Sequence, residues 1–176
     1  MKKSLSLLLA CAMLVFAMPC ALADGTTTLT TTVPASATYT LNIPADQAIA
    51  YGATDTDIGA LTVSNASGFA NGKDLEVTIT YGDFTSEDVD TTIPMGLYGD
   101  YISGSSPDTL YIYSGDSLWF PGDSSGKVSS MPKTKNDYRY NITNLSVRIG
   151  SSAWGKALGG DYTNTITFSA KVVVTE

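Results

Sequence analysis

Leu75-Glu76-Val77-Thr78-Ile79-Thr80-Tyr81 alternates apolar and polar residues without a break. Successive side chains of a strand point to opposite faces, so this stretch has one face to bury and one for water. The same period recurs on either side of it, at Tyr39-Thr40-Leu41-Asn42-Ile43, at Leu145-Ser146-Val147-Arg148-Ile149 and at Ile166-Thr167-Phe168-Ser169-Ala170-Lys171-Val172, with Val174 two residues on. The polar positions are mostly threonine, whose branched Cβ suits a strand. Asn71-Gly72, Gly82-Asp83, Gly99-Asp100, Gly122-Asp123 and Gly159-Gly160-Asp161 punctuate the runs as turn signals. Pro34, Pro44, Pro94, Pro121 and Pro132 fall near run ends, where a missing backbone donor is tolerable. Residues 109–113, the turn Ser114-Gly115-Asp116 and residues 117–120 read as a hairpin. Residues 103–107 and 122–132 read as long surface loops, and 45–50 has room for a single helical turn. The pattern predicts an all-β fold: an Ig-like antiparallel β-sandwich of about seven to nine strands, with a closed barrel as the alternative.

The first 23 residues have a different character. Lys2 and Lys3 precede a nearly unbroken apolar run from Leu5 to Phe16, and Ala21-Leu22-Ala23 forms an A-x-A cleavage site before Asp24. This is the layout of a secretory signal peptide, too short to span a bilayer comfortably. Leu8-Leu9-Ala10-Cys11 has the form of a lipobox, but it leaves only a stub of apolar run before it. The expected organisation is a signal peptide, 1–23, and a single β-sandwich domain, 24–176, secreted and held at the cell surface or released. No second hydrophobic stretch follows, so no transmembrane segment is expected.

Both cysteines, Cys11 and Cys20, lie in the leader, and the chain has no histidine. A cleaved product therefore has no disulfide, thiol nucleophile, Ser-His triad or His- or Cys-ligated metal. The ten Lys and Arg include Lys2 and Lys3, so cleavage leaves eight against 17 acidic residues and moves the net charge from −7 to −9. Phosphate recognition needs a basic footprint, which excludes nucleic acid as a partner. Carboxylate pairs of the kind glycosidases use occur along the chain, but nothing marks a cleft around them, and no enzymatic activity is expected.

Three groups of residues stand out as candidate sites. Trp119, Tyr111 and Tyr113 belong to the expected hairpin, one face of which would be aromatic; exposed flat rings of this kind stack on sugars, whereas buried ones fill a core. Asp55-Thr56-Asp57 and Glu87-Asp88-Val89-Asp90 are oxygen-rich in the manner of extracellular calcium loops, with Asp55, Asp57, Glu87, Asp88 and Asp90 as ligands, although neither has EF-hand spacing. Calcium is the single cofactor these residues bring into consideration. Trp154, in a Gly- and Ser-rich stretch before the last strand, reads as a plug at one end of the fold. Asn65, Asn141 and Asn144 open N-x-S/T patterns, which matter only in a host that glycosylates them.

Gly160-Asp161-Tyr162-Thr163-Asn164-Thr165-Ile166-Thr167-Phe168 resembles the closing strand of the spore-coat-U-like and archaic-pilin group of exported bacterial sandwiches. It also resembles the distal motif of the WxL group of Gram-positive surface proteins, matching at Tyr162, Thr165 and Thr167, with Ile166, Phe168 and Ala170 in place of Leu, Trp and Leu. Tyr39-Thr40-Leu41-Asn42-Ile43-Pro44 and Gly59-Ala60-Leu61-Thr62-Val63 look like segments of such surface domains. The resemblance implies an exported, non-catalytic structural or adhesive protein whose partners are cell-surface or wall components, or copies of itself. It does not carry over wall-peptidoglycan binding, because no Trp-x-Leu occurs in the chain. On physical grounds Tyr162, a tyrosine after a Gly-x turn, is placed to bond backbone at a strand corner. Thr26-Thr27-Thr28-Leu29-Thr30-Thr31-Thr32-Val33 is strand-prone with little to bury, and suits pairing with its own sheet edge or a neighbour's.

Overall fold

The alternation at 75–81 becomes β4 (Lys73–Thr80), an inner strand with Leu75, Val77 and Ile79 fully buried. The computed structural model describes residues 36–70, 72–103, 106–134 and 141–174; the leader, Asp24 and the Thr-rich segment 26–33 lie outside them. β4 pairs antiparallel with β9 (Ser117–Phe120) on one side and β12 (Thr167–Val174) on the other, and β10 (Lys133–Thr134) extends the sheet beyond β9. The register sets Leu75 opposite Phe120, and Val77 opposite both Leu118 and Ala170, so one apolar face runs across three strands.

A second four-stranded antiparallel sheet has the order β2 (Asp55–Gly59), β11 (Ile142–Arg148), β7 (Gly96–Ser103), β8 (Ser106–Ile112). Its apolar face carries Leu97, Ile112, Leu145 and Val147, which join Leu75, Val77, Ile79, Leu118 and Phe120 in one core cluster. Each such side chain stabilises the fold by about 1.5 to 3 kcal/mol when fully buried. Two smaller pairs complete the described strands. β1 (Thr38–Asn42) lies against β3 (Thr62–Ser67), and β5 (Phe84–Thr85) against β6 (Thr92–Ile93). The protein is thus all-β and antiparallel. Among the described residues no helix is long and apolar enough to cross a membrane; the helix near the C-terminus, α1 (Ser151–Trp154), has four residues.

Three local expectations are corrected. Residues 109–120 do not form a hairpin: β8 pairs with β7 in one sheet and β9 with β4 in the other. The turn between them is bonded to the end of β4 instead. Gly115 N–H donates to the Ile79 carbonyl (2.7 Å), Ile79 N–H to that of Asp116 (2.9 Å), and Ser114 Oγ accepts from Tyr81 N–H (2.8 Å) and donates to its carbonyl (2.7 Å). The expected long loop at 103–107 is not found at its described residues: β7 runs to Ser103 and β8 opens at Ser106, its partner; Pro107 is accommodated because β8 is an edge strand. Residues 45–50 contain no helical turn. The loop 122–132 is ordered from within by Asp123, whose Oδ1 accepts from Ser125 N–H, Ser125 Oγ and Lys127 N–H. These bonds, led by that from the Ser125 hydroxyl, hold the Asp123 carboxyl below its usual range.

Candidate functional site

The crossing of residues 109–120 between sheets puts Trp119 in one sheet and Tyr111 in the other, and the two still line a common cleft of about 370 Å³ with Glu76 and Asp116. Trp119 follows the β4–β9–β10 sheet, opposite Glu76 and Lys133, and is 5% exposed. An indole so buried presents only a small part of its surface to that cleft. Tyr111 and Tyr113 belong to the other sheet, on its outward face.

That outward face carries most of the chemistry of the described chain. Register places Asp55 and Asp57 of β2, Asn144, Ser146 and Arg148 of β11, Gly96, Tyr98 and Asp100 of β7, and Thr109 and Tyr111 of β8 on one surface. Tyr98, Tyr111 and Tyr113 form an edge-to-face ladder with centroids 5.0 and 4.5 Å apart. The rings of Tyr98 and Tyr111 lie over Gly96, where a Cβ would come within 2.8 Å of Tyr111 and 3.0 Å of Tyr98. Arg148 crosses this surface: its Nε donates to Asp55 (2.7 Å), its guanidinium lies 4.2 Å from the Tyr98 ring centroid, and its Nη1 reaches Thr109 Oγ1 (3.3 Å). Burial pushes the Asp100 carboxyl above its usual range; repulsion from Asp55 and Asp57 adds to this and Arg148 opposes it. Ser146 is 2% exposed and its hydroxyl has no hydrogen-bond partner among the described residues.

The two acidic clusters proposed for calcium sit on separate elements. Asp55 is paired with Arg148, and Asp57 accepts from Asn144 Nδ2 (2.9 Å) and Gly59 N–H (2.7 Å). Glu87, Asp88 and Asp90 are exposed on the loop between β5 and β6. Among the described residues no three acidic side chains converge in a way that would hold a metal ion.

Tyr162 is half-buried, donates its hydroxyl hydrogen to the Leu158 carbonyl (3.0 Å) and accepts from Thr91 Oγ1 (2.6 Å). It lines a cleft of about 620 Å³ that also includes Trp154, Tyr51, Gln47 and Asn164. Trp154 donates its indole N–H to the Ala53 carbonyl (2.8 Å) and meets Tyr51 edge-to-face at 5.4 Å. Sequence reading did not single out Tyr51, whose ring is 84% exposed.

No protein-family model, curated protein or solved structure matches the chain. The functional reading therefore rests on geometry.

A further feature is an edge rather than a pocket. Among the described residues β12 pairs only with β4, leaving one side of an eight-residue strand unpaired. Its sequence, Thr167-Phe168-Ser169-Ala170-Lys171-Val172-Val173-Val174, has one charge and no proline, and Val174 is 70% exposed.

Proposed function

We propose that this chain is an exported, non-catalytic cell-surface protein, an Ig-like β-sandwich that acts as a structural or adhesive subunit through surface and strand-edge contacts. The observation that carries the reading is the β12 edge, unpaired among the described residues. Natural sheets blunt such edges with charges, prolines, bulges or short strands, because a row of free N–H and C=O groups templates pairing with another chain. Here Lys171 alone is charged, and its ammonium is directed to Glu76 on the neighbouring strand (3.0 Å). An edge left in this state favours β-augmentation, in which backbone bonds give affinity and alternate side chains give register. The partner is a second copy of the chain or a strand of another surface component. The A-x-A leader supports export.

The reading is tested in the native host and in solution. Fractionation is expected to place the protein outside the cytoplasm, and the purified protein is expected to assemble as its concentration rises. Val172→Lys and Val174→Lys, both at exposed edge positions, are expected to suppress assembly while leaving the monomer folded. Assembly unaffected by these charges would remove the strand edge from the mechanism, and a cytoplasmic protein would end the proposal.

A further inference from the structure

The cleft beside Trp154, about 620 Å³, is within the range of about 300 to 1,000 Å³ typical of ligand sites. Its aromatic wall is held in place before any ligand arrives. Tyr51 is the second residue of a tight turn closed by Ala53 N–H donating to the Ala50 carbonyl (3.0 Å). Gly52 takes the positive φ (81°) that the third position of a type II turn requires. The Ala53 carbonyl in turn accepts from Trp154, which ties the turn to α1 across 101 residues of sequence. The Tyr51 ring is therefore fixed at its root and edge yet left in water, a cost in exposed apolar area that no contact within the described fold offsets.

The polar lining is rich in acceptors. Both amide hydrogens of Asn164 are committed, to the Gly82 carbonyl (2.6 Å) and Met95 Sδ (3.0 Å), and Gln47 donates to the Asp57 carbonyl (2.8 Å). Asn164 is left with its carbonyl oxygen to offer, and Gln47 with its carbonyl oxygen and its second amide hydrogen. Asp161 adds a carboxylate, and no Lys or Arg lines the cleft. Acceptors beside an exposed ring call for a ligand with many hydrogen-bond donors and an apolar face. Anionic ligands are disfavoured by Asp161 and by the net charge of the chain. A compact ammonium ion would need an enclosing aromatic cage, whereas two rings inclined at 65° form a corner.

We propose that this cleft binds a neutral glycan, one pyranose packing its C–H face on Tyr51 while neighbouring hydroxyls donate to Gln47, Asn164 and Asp161. The site uses no residue of β12, so it and the strand-edge reading stand or fall separately.

The test is retention of the leader-less protein on a panel of immobilised glycans. The panel holds neutral β-glucan, mannan and poly-N-acetylglucosamine, with polygalacturonate and polylysine as anionic and cationic controls. At least one neutral glycan is expected to retain the wild type and to shift its tryptophan emission. Tyr51→Ala is expected to weaken retention by about tenfold with an unchanged melting temperature, the loss appropriate to one stacked ring. Tyr51→Trp is expected to keep it, and assembly through β12 should be the same in all three proteins. Retention by polylysine alone, by no neutral glycan, or undiminished in Tyr51→Ala would each overturn the proposal.

Discussion

Asp100 is the residue whose environment works most clearly against its charge. It faces the same surface as Asp55 and Asp57, and Arg148, the cation among them, is already paired with Asp55. A carboxyl held above its unfolded value binds more protons in the folded state than in the unfolded one. Stability is therefore lost as pH rises through the folded value, the reverse of the usual carboxylate case. Asp100→Asn is accordingly expected to raise the melting temperature at pH 7, and the gain should shrink as pH falls and the wild-type carboxyl protonates. Thermal melts of both proteins between pH 3 and 7 check this; a gain that grows toward acid pH would contradict it. Tyr162 gives a second prediction at this scale. Removing its hydroxyl in Tyr162→Phe deprives Thr91 and the Leu158 carbonyl of a partner, at a cost of about 1 kcal/mol in urea unfolding. Tyr162→Ala should cost more, about 2 to 3 kcal/mol, less than a core truncation because the ring is half-buried. Two variants that unfold with the wild type would make Tyr162 a surface ornament.

The elements show which parts of the fold could be read in the sequence. β4, β11 and β12 were legible because each alternates cleanly, and burial follows the alternation at Leu75, Val77, Ile79, Leu145 and Val147. Alternation reports which face a side chain takes and carries no information about which strand lies alongside. That is why 109–120 reads as a hairpin yet crosses between sheets: its Ser-Gly-Asp turn suits either path, and the choice is made by bonds to Ile79 and Tyr81, some 33 residues away for Ser114. The tyrosine ladder was half legible. Tyr111 and Tyr113 are marked by their own spacing, whereas Tyr98, Asp100 and Arg148 reach the same face from β7 and β11 through pairing alone. Trp154 was marked by its own surroundings, whereas Tyr51 was out of reach, because the turn that carries it meets α1 only in the fold. The element-scale prediction concerns the crossing. Ser114→Ala removes two hydrogen bonds between the turn and β4 and is expected to cost about 1 kcal/mol, moderated by the exposure of Ser114 to competing water. Urea denaturation measures it, and no loss would mean that the Gly115 and Asp116 backbone bonds hold the crossing unaided.

At the scale of the whole molecule, the question is what would hold a chain of this size together in the exported state proposed above. Small extracellular domains commonly use disulfides or metal to supplement a limited core. Here both cysteines lie within the first 20 residues, histidine is absent, and the core draws on both sheets at once, from Phe69 and Leu75 to Leu145 and Ile149. Burial of apolar area is then the dominant stabilising term, and its signature is sensitivity to the loss of core volume rather than to reductant. Phe120→Ala empties a fully buried position between Leu75 and the facing sheet and is expected to cost about 3 to 5 kcal/mol. Dithiothreitol is expected to leave the melting temperature of the leader-less protein unchanged, and EDTA likewise. The EDTA arm has the sharper consequence. A large fall in melting temperature on chelation, reversed by calcium, would mean that Asp57 or the Glu87-Asp88-Val89-Asp90 loop holds an ion, and that the burial account of stability is incomplete.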